Sequence, residues 1–123
     1  MIATLVREAA RAMPNEACGL LLGTPNRIDT AIPTRNVHPT PRTPFEIDPA
    51  ALIAAHKAAR VGGAEIAGYW HSHPTGSAVP SPTDRASASG DGKVWAIVAA
   101  GEVTFWRDGA DEFEPLSTRA VAG

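Results

Sequence analysis

The sequence predicts an α+β or mixed-sheet layered domain, and three observations carry that expectation. Two stretches have helical character, one by apolar spacing and one by alanine-rich composition. Several short apolar runs have strand length and are bounded by Gly, Pro or Asn. The order is helix, strands, helix, strands, which departs from the strict alternation that builds a parallel βαβ sheet.

Ile2, Leu5, Val6, Ala9 and Met13 recur at helical spacing, so residues 2–13 read as an amphipathic first helix, stopped by Pro14 and Asn15. Ala17 to Leu22 is almost wholly apolar and is closed by Gly23, the pattern of a buried strand. A Thr24-Pro25-Asn26 turn leads to a second strand around Arg27–Ile32. Pro33, Pro39, Pro41 and Pro44 make residues 33–44 an irregular loop, followed by a short extended piece at Phe45–Ile47. Asp48 then caps a helix with Pro49 in its first position, running to about Arg60 and ended by Gly62-Gly63. Ile66 to His73 reads as a strand and Pro74 to Pro80 as a loop. Ser81-Pro82-Thr83-Asp84 has the form of a helix start, with Gly90-Asp91-Gly92 closing that helix. Val94–Ala99 and Glu102–Arg107 predict a hairpin around Ala100-Gly101. A last short strand covers Phe113–Leu116, and the tail is expected to fray.

The 123 residues suit one domain over 1–123, large enough to bury a core without disulfides. A net charge of −2 argues against a general nucleic-acid or acidic-membrane binder, which carries a basic excess. The single cysteine, Cys18, excludes an intramolecular disulfide and suits a reducing cytoplasm. Arg and Glu interrupt the N-terminal segment too often for a secretory h-region. No apolar run approaches the roughly 18 residues of a membrane span.

The chemistry concentrates between Gly68 and Asp84. Side chains two apart on a strand share a face, so His71 and His73 can offer two imidazole nitrogens to one ion. Pro74 cannot donate to a ladder and ends the strand just past the second His. The helix start beyond the loop places Asp84 within reach as an oxygen ligand. Two His and one carboxylate leave a fourth tetrahedral position open, as catalytic zinc sites require, and suit zinc better than magnesium. An isolated His-x-His is weak evidence of a metal, and Ser81-x-x-Asp84 alone is most simply a capping box; the two roles are compatible.

Glu16, then His71-Ser72-His73-Pro74, six residues, and Ser81-Pro82-Thr83-Asp84 together resemble the JAMM (MPN-plus) motif, in the short bacterial form of that family. Pro14-Asn15-Glu16-Ala17-Cys18-Gly19-Leu20-Leu21-Leu22-Gly23 is similar to the family's upstream segment. Asn36 and Phe45-Glu46-Ile47-Asp48-Pro49 stand where members carry similar residues, so the resemblance covers most of the chain. It implies a curved mixed β-sheet flanked by helices, layered as in cytidine deaminases, with a metal site at one edge. It implies zinc on His71, His73 and Asp84, Glu16 as general base that returns its proton to the leaving amine, and Ser81 steadying the oxyanion. The implied reaction is hydrolysis of a peptide or isopeptide bond after the C-terminal glycine of a ubiquitin-like protein. Short bacterial members of the family resemble enzymes that process ubiquitin-like sulfur carriers, so the resemblance together with the small size implies such a carrier with a Gly-Gly tail as partner, its extended tail adding to a sheet edge.

Two other functions compete: a non-catalytic binding or scaffold domain, and a peptidase for an unrelated cell-wall or phage-associated peptide. A zinc nucleobase deaminase is set aside because its Pro-Cys-x-x-Cys ligand run is absent. Cys18 reads as a small core residue, His38 and His56 as surface residues, and Trp70, Trp95 and Trp106 as packing. Ser72 should face away from the two His by strand alternation.

Overall fold

The computed structural model describes residues 1–24, 26–41 and 45–122. Pro25 of the predicted turn, Pro44 of the predicted loop and Gly123 of the tail lie outside them. In chain order the elements are α1 (Ile2–Ala12), β1 (Cys18–Thr24), β2 (Arg27–Thr34), α2 (Pro49–Arg60), β3 (Glu65–Ser72), α3 (Pro82–Ser87), β4 (Val94–Ala99), β5 (Glu102–Asp108), β6 (Phe113–Leu116) and α4 (Thr118–Ala122). The strands form one sheet in the order β2-β1-β3-β4-β5-β6. Among the described residues only β3 and β4 run parallel; every other neighbouring pair of strands is antiparallel. The α+β mixed sheet expected from the sequence is therefore what the chain forms.

The two faces follow from strand alternation. Trp70 on β3, Val94, Ala96 and Val98 on β4 and Phe105 on β5 pack with Leu5 of α1 and Val121 of α4 in the main core. His71, Trp95 and Ile97 alternate with these residues and look to the opposite face. Gly19 and Gly68 permit close strand contact: a Cβ on Gly19 would collide with the Ile32 carbonyl and the Trp70 indole, and one on Gly68 with the Val94 carbonyl.

Several boundaries depart from the sequence reading. β1 runs past Gly23 to Thr24, because a bulge beyond Leu22 lets Gly23 pair with Ile28 and Thr24 with Arg27. β2 continues through Pro33, which the edge position of this strand tolerates. The helix after Ser81 ends at Ser87, short of Gly90, because the Asp108 carboxylate takes the backbone N–H groups of Ser89 and Gly90 at 3.0 Å each. The tail does not fray over 118–122 but forms α4, held by burial of Val121. The capping of α2 is as read, with Asp48 accepting from the Ala50 N–H and Pro49 at the start.

The parallel pair positions the chemistry. A chain leaving the C-terminal end of β3 must cross over to reach the start of its parallel neighbour. Here the crossover carries α3, so Asp84 is brought back across the end of β3. The candidate ligands His71, His73 and Asp84 consequently gather at the end of the interior strand β3 rather than along an outer edge of the sheet. Among the described residues, no helix is long and apolar enough to cross a membrane.

Candidate metal centre and active-site cleft

β3 ends at Ser72, one residue earlier than predicted, yet His73 remains fixed because its N–H donates to the Val98 carbonyl at 2.8 Å. His71 and His73 thus stay two residues apart on an extended backbone and turn toward each other, Nε2 to Nε2 at 3.1 Å. Asp84 meets both: Oδ1 lies 2.9 Å from His71 Nε2 and Oδ2 3.1 Å from His73 Nε2. Asp84 is itself held by a complete capping box, its Oδ2 accepting from the Ser81 N–H at 2.9 Å while the Asp84 N–H donates to Ser81 Oγ at 3.1 Å.

Each ring has a fixed environment. His73 Nδ1 lies 2.8 Å from the Ser77 carbonyl, which takes an Nδ1–H and leaves the Nε2 lone pair directed at the cluster. His71 is fully buried, stacks on Phe45 with ring centroids 4.6 Å apart and meets the edge of Trp95 at 5.8 Å. Its Nδ1 has no hydrogen-bond partner among the described residues.

The charges follow from these contacts. Burial pushes the His71 pKa down, outweighing the opposite pull of Asp84. The hydrogen bond to Asp84 raises the His73 pKa against its burial, with a further contribution from the charge of Glu16. Burial works against ionisation of Asp84, but the hydrogen bonds from His71 and His73 overcome it and hold the carboxyl well below the usual carboxylate range. The cluster therefore presents one ionised carboxylate and two imidazoles, of which His73 takes a proton more readily.

This donor set fits a metal ion. His71, His73 and Asp84 form a group whose ligand atoms all lie within 4.8 Å of one another. Tetrahedral bonds of about 2.0–2.2 Å to nitrogen and oxygen separate ligand atoms by roughly 3.3 Å. The observed 2.9–3.1 Å spacings need only a slight opening to meet that.

Glu16 lies between α1 and β1, outside any regular element, and is 6% exposed. It lines a cleft of about 590 Å³ together with His73 and Ser81, with Pro14, Pro74 and Val79 around it. The structure thus brings Glu16, His71, His73, Ser81 and Asp84 to one region. Cys18 is buried in β1 with its thiol pKa raised by burial, consistent with a core role. His38 accepts from the Thr40 N–H at 3.0 Å, a local turn contact rather than a ligand position. Ser72 faces away from the cluster, and its Oγ accepts from the Ala17 N–H at 2.8 Å.

Three contributors escaped the sequence reading. The Ser77 carbonyl is backbone and leaves no trace in residue identity. Phe45 was legible as extended chain but not as the platform under His71. Asn36 shared a family position, yet nothing in a Pro-rich loop announces four hydrogen bonds from one amide.

Residues 1–109 match the family described as prokaryotic homologs of the JAB domain. A desampylase of Haloferax volcanii is 38% identical over 112 residues, covering 89% of this chain and 81% of the relative. A probable TtuB-protein conjugate cleaving protease of Thermus thermophilus is 44% identical over 82 residues, which are 67% of this chain and 52% of that protein, about half its length. Among solved structures, a protein of Desulfitobacterium hafniense superposes with a TM-score of 0.79 at 28% identity, covering 94% of this chain and 85% of its own. One from Salinibacter ruber gives 0.72 at 30%, covering 99% and 87%. A JAB1/MPN domain protein of Archaeoglobus fulgidus shares the fold, with a TM-score of 0.60 at 24% identity and coverage of 99% and 94%.

Proposed function

The chain belongs to the family of prokaryotic homologs of the JAB domain, and from that premise we propose that it is a zinc-dependent isopeptidase or peptidase. Its substrate is a ubiquitin-like sulfur-carrier protein, cut after the C-terminal glycine. The observation that carries this reading is the convergence of His71 Nε2, His73 Nε2 and the Asp84 carboxylate within 3.1 Å of one another, beside a cleft that Glu16 lines. Support for the substrate class comes from the relatives named as a desampylase and a conjugate-cleaving protease.

His71, His73 and Asp84 would hold the metal. A bound zinc supplies Lewis-acid polarisation of the scissile carbonyl and makes water more acidic. The Glu16 carboxylate accepts a proton as water attacks, a C–O bond forms, and Glu16 then delivers that proton to the amine as the C–N bond breaks. The Ser81 hydroxyl accepts from the Asp84 N–H, which leaves its own O–H free to donate. Directed at the carbonyl oxygen as charge develops, such a donor contributes about 2.7–4 kcal/mol in comparable sites. Burial of Glu16 keeps its carboxylate from bulk water, and the Ser77 carbonyl fixes the tautomer of His73.

The test is mass spectrometry of ubiquitin-like sulfur carriers bearing a C-terminal extension after Gly-Gly. Zinc-loaded wild type should cut after the second glycine and Glu16→Gln should keep zinc but lose nearly all turnover. A zinc-loaded wild type that leaves every such carrier intact would overturn the substrate assignment. Full activity in Glu16→Gln would overturn the base.

A further inference from the structure

We propose that Asn36 is a positioning residue for Glu16, holding the peptide unit that carries the base. The inference rests on the reading of Glu16 as general base. Glu16 lies beyond the end of α1 and before β1; its neighbour Ala17 is tied to Ser72, and its own peptide groups are tied to the loop that carries Asn36. Its Nδ2 donates to the Glu16 carbonyl at 3.0 Å and to the Pro41 carbonyl at 3.2 Å. The Pro41 carbonyl in turn accepts the Glu16 N–H at 2.8 Å. Both backbone polar groups of Glu16 are therefore held by Asn36, one directly and one through Pro41.

The other half of the amide anchors the clamp. Asn36 Oδ1 accepts from the His38 N–H at 3.1 Å and the Glu46 N–H at 3.0 Å. Two donors and two acceptor sites exhaust the capacity of a primary amide. The loop is further tied by Val37 N–H to the Glu46 carbonyl at 2.9 Å and Asp48 N–H to the Arg35 carbonyl at 3.2 Å. Asn36 thus couples a braced loop to the base at a distance from the reacting atoms. Misplacement of a reacting group by about 1 Å costs on the order of 100-fold in rate, so a clamp at this point acts on turnover.

Asn36→Asp separates the two halves of the contact. It keeps an oxygen for His38 N–H and Glu46 N–H but replaces the donors by an acceptor facing the Glu16 and Pro41 carbonyls. Kinetics on a sulfur-carrier fusion extended after Gly-Gly should show kcat reduced by about 10- to 100-fold, with KM and zinc content near wild type. In a Glu16→Gln background the same substitution should cause no further loss of the residual zinc-dependent turnover, because the clamp would then hold a group no longer acting as base. Asn36→Ser, uncharged and too short to span the clamp, is carried through the same measurements in case Asp disrupts folding.

Wild-type kcat in a folded Asn36→Asp or Asn36→Ser overturns the proposal. So does an equal proportional loss in the wild-type and Glu16→Gln backgrounds, which would mark a general structural role. Wild-type activity in Glu16→Gln alone would instead overturn the base assignment, and the proposal with it.

Discussion

Ser72 stands between two metal-ligand candidates but works on the other side of the sheet, and its removal has a calculable cost. Ser72 Oγ accepts the Ala17 N–H at 2.8 Å, in a buried bond between residues 55 apart. Ser72→Ala leaves that N–H in place without its acceptor. The change removes a single oxygen, so cavity formation adds little and the loss isolates the hydrogen bond. An unsatisfied buried donor costs about 1–3 kcal/mol. At about 2.1 cal/mol/K per residue, the unfolding entropy of a chain of 123 residues is roughly 0.26 kcal/mol/K. The melting temperature should therefore fall by about 4–12 °C. The Ser72 N–H still donates to the Ala17 carbonyl at 3.0 Å, so the β1–β3 junction persists. Calorimetry on metal-free protein reads the shift directly. Ser77→Ala is the control, because Ser77 is exposed and contributes its carbonyl rather than its hydroxyl to His73; it should stay within about 0.5 kcal/mol of wild type. A Ser72→Ala shift below about 2 °C would refute the reasoning, since it implies less than the minimum cost of an orphaned donor.

Asp84→Asn keeps an oxygen for the Ser81 N–H but removes the charge, so zinc should bind at least about tenfold more weakly; stoichiometric zinc at limiting metal, read by elemental analysis, would refute Asp84 as a ligand. Cys18 is buried with a raised thiol pKa, so native alkylation at pH 8 should be more than about tenfold slower than in urea; comparable rates by mass spectrometry would contradict a core thiol. Burial raises the pKa of both Cys18 and Tyr69, so the fold favours their neutral forms. That stability is fully present below the unfolded values, about 8.5 and 10, and is lost as pH rises through the folded ones. Melting temperature should accordingly decline less between pH 8 and about 10.5 in Cys18→Ala/Tyr69→Phe than in wild type; identical slopes would exclude the assignment.

Elements were legible where local chemistry decides the outcome. Asp48-Pro49 and Ser81-Pro82 mark helix starts because capping and a fixed φ act within a few residues. Val94–Ala99 and Phe113–Leu116 were legible as strands because their lengths are set by adjacent turns. The misses are tertiary. β2 passes through Pro33 because it is an edge strand of the sheet, and α4 forms where Val121 packs into the core. The end of α3 depends on Asp108, nineteen residues from Ser89 in sequence. In the site, spacing alone put His71 and His73 on one face, and the capping pattern marked Asp84 as starting a helix. Neither could show the parallel β3–β4 pairing that brings that helix back over the strand end. Ser77 acts through its carbonyl and Asn36 through a side-chain amide that meets backbone groups, and the partners of both depend on the complete fold.

Asp84 begins a helix and belongs to the metal group at once because a carboxylate has two oxygens. Oδ2 accepts the Ser81 N–H and lies near His73, while Oδ1 faces His71. Ligation through one oxygen leaves the other to close the capping box. Ser81 completes that box through Oγ, so it supports the ligand as well as serving as the proposed oxyanion donor. Loss of turnover in Ser81→Ala would therefore mix two defects, a loosened Asp84 and a missing hydroxyl. Ser81→Thr separates them, since threonine is a competent cap and retains the hydroxyl. It should bind zinc like wild type and keep most of its turnover, whereas Ser81→Ala should lose both affinity and kcat. If Ser81→Ala binds zinc at wild-type strength and loses only kcat, the cap does not support the ligand and Ser81 acts on the substrate alone.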